Sequence, residues 1–414
     1  MRSRLPKWRT TAAEIELLED RCLLATFTVT NTLNSGPGTL RQAVFDANFS
    51  IGSDEIVFSP ALIGGTVRLS SQIDITQSLT IKGPTSDPNG IVISGEGNNR
   101  IFRVLGGTPT QVTLARMTIT SGDAGGEDGG AIVNNGSLRL ENMVISASEA
   151  GNGGAIDNNA SLTVTAGSQI IGNRASNSGG GIDNGGSAQL LINNSTISSN
   201  SAQFGGGIYN LSGSPGGQIS ILRSTLAGNF ATQTGGAIRN VSSSGLALTI
   251  VDSTIAHNIS GVGGGGISMS NGGVSLNHVT IVGNADTGGT VTGAGGVSRT
   301  AGTLSASNTI VANNIHSNAS QNNLNAGAIN GTNIANFTSG NPELGPLQDN
   351  GGLTLTMVPL PGSPVIDIGS NSVAPTLDQR GFARKVDGNN NGAATVDIGA
   401  AEYIPALIQP YVVG

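Results

Sequence analysis

Two hydrophobic motifs alternate along the middle of the chain. The first is a glycine-rich motif, Gly179-Gly180-Gly181-Ile182 in one copy, whose last position recurs at steps of 24, 26, 26, 30, 29 and 30 residues. The recurring positions are Ile132, Ile156, Ile182, Ile208, Ile238, Ile267 and Val297. Between two copies lies a Thr-Ile motif, such as Ser195-Thr196-Ile197-Ser198-Ser199-Asn200, with aliphatic residues seven and five positions before its isoleucine. A regular period of this size indicates stacked structural repeats.

Each repeat predicts three short β-strands and no helix. Alternation of apolar and polar residues is typical of a strand with one buried face. The asparagines and glycines between the strands tolerate the positive φ of tight turns. Three strands per repeat fit one coil of an all-β, right-handed parallel β-helix, in which successive coils pair at about 4.8 Å. Its inward aliphatic side chains would stack into one continuous core.

An asparagine lies two residues after the isoleucine in five of the seven copies of the glycine-rich motif. The set is Asn134, Asn158, Asn184, Asn210 and Asn240. Stacked at one turn, their amides are expected to hydrogen-bond from coil to coil, and a set of independent turn residues is the alternative.

The composition of the chain excludes some classes of function. The chain has 414 residues, 64 of them glycine, with three lysines and a net charge of −7, so it offers no basic surface for nucleic acid. No run of apolar residues approaches the roughly 18 needed to span a membrane, so we expect no transmembrane segment. The single Cys22 excludes an intramolecular disulfide framework. We expect a monomer.

The sequence divides into three parts. Residues 1–25 combine a basic start with an acidic amphipathic stretch and are predicted to be an export or targeting segment. Residues 26–337 are the predicted β-helix, opened by a short capping helix in which Thr39 is the N-cap and Leu40, Ala43, Val44 and Ala47 form the apolar face. Residues 338–414 have a different composition, and we expect them to cap the last coil.

Several segments resemble known families of secreted proteins. Leu18-Glu19-Asp20-Arg21-Cys22-Leu23-Leu24-Ala25 resembles the LEPR-like motif of exported planctomycete surface proteins, and Gly38–Val44 resembles the "CSLREAI" segment of secreted β-helix proteins. The repeats are similar to those of chlamydial polymorphic outer-membrane proteins. Four segments between Asn341 and Tyr403 resemble the choice-of-anchor Q C-terminal region. These resemblances imply a pectin-lyase-like β-helix that is secreted or held at the cell surface.

The residue after each motif isoleucine is predicted to point outward. This column reads Val133, Asp157, Asp183, Tyr209, Arg239, Ser268 and Ser298. Asp157 and Asp183 would lie about 5 Å apart on adjacent coils, a separation that serves retaining glycoside hydrolysis. Tyr209 and Arg239 would stack on or bind a sugar. The alternative is a solvated column of unrelated surface residues, since the phrases expected of pectinase-type β-helix enzymes are not found.

One further stretch suggests a metal site. Asp387, Asn389 and Asn391 occupy positions 1, 3 and 5 of a calcium-loop pattern, with Gly392 at position 6. Position 12 is not acidic, so Asp397, one place early, would have to act as a shifted ligand. The alternative is a polar turn. Calcium is the one cofactor that the sequence suggests.

Three functions remain open at this stage. The first is a non-enzymatic extracellular or cell-surface β-helix for adhesion or glycan contact, with polysaccharide or cell-surface components as partners. The second is a polysaccharide lyase or glycoside hydrolase acting at Asp157 and Asp183. The third is a purely structural surface stalk.

Overall fold

The computed structural model describes residues 24–405, except 108–109, 213–216, 243–244, 289–292, 318–319 and 326–328. The predicted export segment, apart from Leu24 and Ala25, therefore lies outside the described residues, as do residues 406–414 of the predicted anchor region. The described chain is a right-handed parallel β-helix, as predicted. None of its helices is long and apolar enough to cross a membrane.

Three sheets form the faces of the described β-helix. The first has 20 strands: Thr26–Val29, Asp54–Phe58, Gly65–Arg68, Leu79–Lys82, Ile91–Ser94, Gln111–Ala115, Thr118–Thr120, Ser137–Glu141, Val144–Ser146, Ser161–Thr165, Gln169–Ile171, Gln189–Asn193, Thr196–Ser198, Gln218–Leu222, Thr225–Ala227, Leu246–Ala256, Gly273–Val282, Thr303–Ser307, Ile310–Ala312 and Asn333–Ile334. The second has nine: Ile73–Ile75, Phe102–Val104, Ile132–Asn134, Ile156–Asn158, Ile182–Gly186, Ile208–Ser212, Ile238–Ser242, Ile267–Ser270 and Val297–Arg299. The third has eight: Glu149–Asn152, Arg174–Ser178, Ser201–Ala202, Phe230–Ala231, Ile259–Ser260, Ala285–Asp286, Ile315–His316 and Ser320–Gln321.

The coils between Ser137 and Ser242 contain four short strands each, whereas the two coils from Leu246 to Arg299 contain three, because there the alternating and Thr-Ile segments form one continuous strand. The alternating strand and the Thr-Ile strand, for example Gln189–Asn193 and Thr196–Ser198, both belong to the first sheet. The third sheet contributes a strand such as Ser201–Ala202, which sequence reasoning missed. Strands of this length and polarity carry too little alternation to be distinguished from a turn.

The motif isoleucines stack in register inside the coil, as predicted. Ile156 pairs with Ile132 on one side and Ile182 on the other, and all three are fully buried. The glycines before them are required by the turn. Gly179 has φ of +63°, and a Cβ on Gly180 would lie 2.3 Å from the carbonyl oxygen of Gly206 in the next coil.

Two asparagine ladders run along the coils. In the predicted ladder each Nδ2 donates to the Oδ1 of the next coil at 2.7–3.0 Å, from Asn134 through Asn158, Asn184 and Asn210 to Asn240. A second ladder, not predicted, has the same geometry at 2.9–3.0 Å. Its members are Asn173, Asn200, Asn229, Asn258, Asn284 and Asn314. The ladders provide hydrogen-bond partners for buried amide groups at the turns, which water cannot reach.

The last Thr-Ile motif is displaced by one residue from its expected register. Val311, not Ile310, pairs with Ile281 and enters the core, and Asn314 rather than Asn313 joins the ladder. Ile310 instead packs in a separate apolar cluster with residues of the C-terminal region such as Val365. A second apolar surface therefore competes for the isoleucine that the motif assigns to the core.

The predicted capping helix is present at Leu40–Phe49. The Thr39 hydroxyl accepts a hydrogen bond from the amide of Gln42, and the buried face is Leu40, Ala43, Val44 and Ala47. The helix contacts the strands Thr26–Val29, Asp54–Phe58 and Ile73–Ile75. It thus covers apolar surface of the first coils.

The C-terminal region lies along the side of the β-helix rather than over its last coil alone. Gln379, Arg384, Ala400 and Ser370 make hydrogen bonds to successive coils at 2.5–3.3 Å. The side chains they contact are those of Thr225, Asp252, Thr254, Thr280 and Asn308. Arg384 is completely buried and pairs with Asp252, so a charged contact fixes this region to the coils.

Candidate functional site

The second sheet places the four predicted site residues in one row. Asp157 pairs with Asp183, Asp183 with Tyr209, and Tyr209 with Arg239, each one coil from the next. Neighbouring strands lie about 4.8 Å apart, so the two aspartate backbones are adjacent. We refer to these four residues as the polar column.

The two aspartates are much less exposed than an outward surface column should be. Asp157 is 7% exposed and Asp183 is 8% exposed. The cause is the glycine turn, which brings the end of the third sheet against the second. Asn159 donates to Asp157 Oδ2 at 2.6 Å, and the Ser178 hydroxyl contacts Asp183 Oδ2. The carboxyl groups therefore sit in a corner between two sheets.

A second column faces the aspartates across this corner. It comprises the residues four positions before the first five motif isoleucines, which are Asp128, Asn152, Ser178, Phe204 and Thr234. Sequence reasoning missed them, although their constant offset from the isoleucine could have identified the column. We call this the facing column.

The hydrogen bonds of the facing column reach Asp183 through Ser178. Asn152 Nδ2 donates to Asp128 Oδ1 at 2.7 Å, so Asn152 Oδ1 is an acceptor, and Ser178 Oγ lies 2.7 Å from it. The Ser178 hydroxyl also donates to Asp183 Oδ2, which lowers the pKa of that carboxyl against the larger effect of burial. A hydroxyl has one proton, so Ser178 donates to one of these two oxygens at a time.

Burial has the same effect on the acidity of the two aspartates. It raises the pKa of Asp157 to about 6, with a smaller contribution from the charge of Asp128. It raises the pKa of Asp183 to about 7, and the charge of Asp157 adds to the shift. Desolvation disfavours the charged form of a carboxyl group, and a nearby like charge does the same. Between these two pKa values the pair holds about one proton.

Tyr209 and Arg239 are both half-buried. Burial raises the pKa of Tyr209, and the charge of Asp183 adds to it. Burial lowers the pKa of Arg239, whose Nη1 donates to Ser268 Oγ at 2.8 Å and whose Nη2 donates to Ser270 Oγ at 3.2 Å. The guanidinium therefore extends toward the next coil and continues the row of polar groups.

An open cavity of about 500 Å³ adjoins Asp157. Asp128, Glu127 and Arg100 line it together with Asp157. Arg100 Nη2 donates to the carbonyl oxygen of Asp128 at 2.7 Å. One end of the polar column is therefore accessible from solvent through a cavity with mixed charge.

The side-chain oxygens of the predicted calcium loop make hydrogen bonds within the protein. Asp387, Asn389 and Asn391 direct side-chain oxygens at backbone amides of their own loop, at 2.8–3.1 Å. Asp397 accepts from the amides of Asp367 and Tyr403 at 2.8 and 2.5 Å. The described residues contain no group of three or more His, Cys, Asp or Glu arranged to hold a metal ion. Calcium binding by this loop stays a prediction, which calorimetric titration with Ca²⁺ would test.

Comparison with known proteins identifies the fold and no family. No protein-family model matches the chain, and no curated protein matches it. The crystal structure of pectate lyase Pel9A aligns with a TM-score of 0.52 and 14% identity, over 92% of this chain and 98% of that one. A PL6 family alginate lyase, AlyGC, aligns with a TM-score of 0.37 and 11% identity, over 94% of this chain and 60% of that one. The chain shares the parallel β-helix fold of Pel9A.

Proposed function

We propose that this chain is a secreted or cell-surface protein that binds polysaccharide along the polar column. The observation that carries the proposal is the row itself, in which carboxyl, phenol and guanidinium groups follow one another at the spacing of the coils. A repeating polymer can contact such a row at several points. Two further observations support the proposal: the fold is shared with a pectate lyase, and a solvent-accessible cavity adjoins the row.

The column also suggests the charge of the ligand. Asp157 and Asp183, with Asp128 of the facing column beside them, give three carboxyl groups at one end, whereas Arg239 lies at the other end and is hydrogen-bonded to serines. A polyuronate would meet these carboxylates without a compensating free cation in the column. We therefore expect a neutral polysaccharide to bind more tightly than a polyuronate.

A glycan array that includes neutral and uronate polysaccharides tests this proposal. We expect binding by the wild type and a loss of about tenfold or more in the Asp157→Asn/Asp183→Asn variant and in Tyr209→Ala. The matched control is Glu141→Gln, which removes a carboxylate from the first sheet. The proposal is wrong if no glycan binds, or if the column variants bind as the control does.

A second candidate function is cleavage of the bound polysaccharide, favoured by the single proton that the aspartate pair holds near neutral pH. In hydrolysis, protonated Asp183 would give its proton to the leaving glycosidic oxygen, and ionised Asp157 would attack the anomeric carbon before water releases the sugar. The rate should peak between about pH 6 and pH 7, where one group is protonated and the other is not.

The products formed from the polysaccharide distinguish the candidate functions. New reducing ends indicate hydrolysis, and ultraviolet absorbance of an unsaturated sugar indicates a lyase. Binding without either product leaves the non-enzymatic function. If the folded protein neither binds nor cleaves any glycan, the structural stalk is the remaining function.

A further inference from the structure

A second cavity lies in the C-terminal region, on a different part of the molecule from the polar column. Its volume is about 300 Å³, and it is bordered by the chain segments that form the bridges Leu344–Pro359 and Gln348–Thr356, together with Arg380 and Tyr403. This volume is at the lower end of the range of ligand pockets, which runs from about 300 to 1,000 Å³. A ligand that fills it must be small.

One side of this cavity is apolar and conformationally restricted. It is formed by Pro346, Val358, Pro359, Leu360 and Pro361. The amide of Gly345 donates to the carbonyl oxygen of Val358 at 2.8 Å, which joins the two segments that carry these side chains. Proline rings have a fixed φ and no side-chain rotamers to lose, so this wall is formed before a ligand arrives.

Arg380 lines the cavity together with Asp349 and Glu402, and its side chain is 5% exposed. Its Nε and Nη2 donate to Asp378 Oδ2 at 2.9 and 2.6 Å, and Nη2 also donates to the carbonyl oxygen of Glu402 at 2.5 Å. Its Nη1 makes no hydrogen bond to any residue that the structure describes, so an oxygen of a ligand in the cavity can accept from it.

Two further side chains at the cavity offer acceptor oxygens. Asp349 Oδ1 accepts from the amide of Gly351 at 2.9 Å, which leaves Oδ2 available. Gln348 uses Nε2 to donate to Asn350 Oδ1 at 3.0 Å, which leaves Oε1 available. A hydroxyl group both donates and accepts, so a ligand with several hydroxyls matches this mixture of acceptors and the Arg380 donor.

The charges disfavour an anionic ligand. Asp378 already pairs with Arg380, and Asp349 and Glu402 also line the cavity, so an anion finds no uncompensated positive charge. The ligand that fits is small, neutral and hydroxylated, with an apolar face for the proline wall.

We propose that this cavity binds one neutral sugar residue. Its C–H face would pack on Pro359 and Leu360, and its hydroxyls would accept from Arg380 and donate to Asp349 and Gln348. The site is independent of the polar column, so the two proposals succeed or fail separately.

The experiment measures binding of the methyl glycosides of glucose, galactose, mannose and N-acetylglucosamine to the full chain, by saturation-transfer NMR and calorimetry. Leu360→Trp fills the cavity. Leu355→Trp is the matched control, because Leu355 lies outside the cavity and is 40% exposed, against 39% for Leu360. Circular dichroism establishes that both variants are folded.

We expect at least one glycoside to bind, Leu360→Trp to weaken that binding by about tenfold or more, and Leu355→Trp to leave it unchanged. The Asp157→Asn/Asp183→Asn variant should bind as the wild type does. Glucuronate should bind about tenfold more weakly than glucose. The proposal is overturned if none of the glycosides binds, if the two tryptophan variants behave alike, if the aspartate variant loses binding, or if glucuronate binds as well as glucose.

Discussion

Asn200 offers a quantitative test of the second asparagine ladder. Its side chain is fully buried, and its Oδ1 accepts from both the backbone amide and Nδ2 of Asn173 at 3.0 Å. Its Nδ2 donates to the carbonyl oxygen of Ile170 at 2.9 Å and to Asn229 Oδ1 at 3.0 Å. Asn200→Ala would remove all four contacts from one coil.

One buried group would then lack a partner. Asn173 Nδ2 keeps the carbonyl oxygen of Ile145, and Asn229 Oδ1 keeps the backbone amide of residue 200. The Ile170 carbonyl keeps its place in the pairing of Gln169–Ile171 with Thr196–Ser198, whereas the Asn173 amide has no other acceptor. A buried group of this kind costs about 1–3 kcal/mol, so the free energy of unfolding should fall by about 1–3 kcal/mol.

The assay is urea denaturation followed by circular dichroism, with Gln203→Ala as the control. Gln203 is exposed on the same coil, and its replacement should change stability by less than about 0.5 kcal/mol. Since a solenoid can open locally, hydrogen exchange at the Asn173 amide gives the site-specific measurement. If Asn200→Ala matches the control in urea and the Asn173 amide stays protected, the ladder does not hold the coils together.

Three further predictions concern the core, the C-terminal contact and pH. Ile197→Asp places an unpaired charge in the core and should cost more than about 4 kcal/mol, whereas exposed Ser199→Asp should have little effect; equal melting temperatures would show that Ile197 does not face inward. Arg384→Met leaves buried carboxyl groups without their cation and should cost about 3–5 kcal/mol, with faster proteolysis of the C-terminal region, against the exposed control Lys385→Met. Burial raises the pKa of five carboxyl groups to between about 6 and about 9, so the folded chain binds more protons than the unfolded chain, and stability should rise as the pH falls from about 9 to about 5. His278, whose pKa burial lowers to about 2, opposes this rise below about pH 6.5. Urea midpoints that fall over the whole of this pH range would contradict the assignment. The five are Asp157, Asp183, Asp252, Asp397 and Glu402.

The winding of the chain was predictable because the coils repeat the same spacing of isoleucine, glycine and asparagine. The motif isoleucines and the first asparagine ladder follow directly from constant spacing, and the structure places both as expected. The one-residue displacement at Ile310 was not predictable from the motif. It depends on packing against a segment more than fifty residues later in the chain, such as Val365.

The candidate site was predictable in position but not in environment. Spacing alone puts Asp157 beside Asp183, yet Ser178 at the end of a third-sheet strand and Asn159 after a second-sheet strand contact their carboxyl groups. The facing column was readable in the same way, four residues before each of the first five motif isoleucines. The contact between Arg384 and Asp252 joins positions 132 residues apart, and no periodic pattern indicates such a pair.

A crystal structure of the protein with an oligosaccharide identified on the glycan array would test the proposed function most directly. We expect sugar rings to lie along the second sheet, in contact with Asp157, Asp183 and Tyr209. Sugar bound on the first or third sheet, without contact to the polar column, would contradict the proposed function.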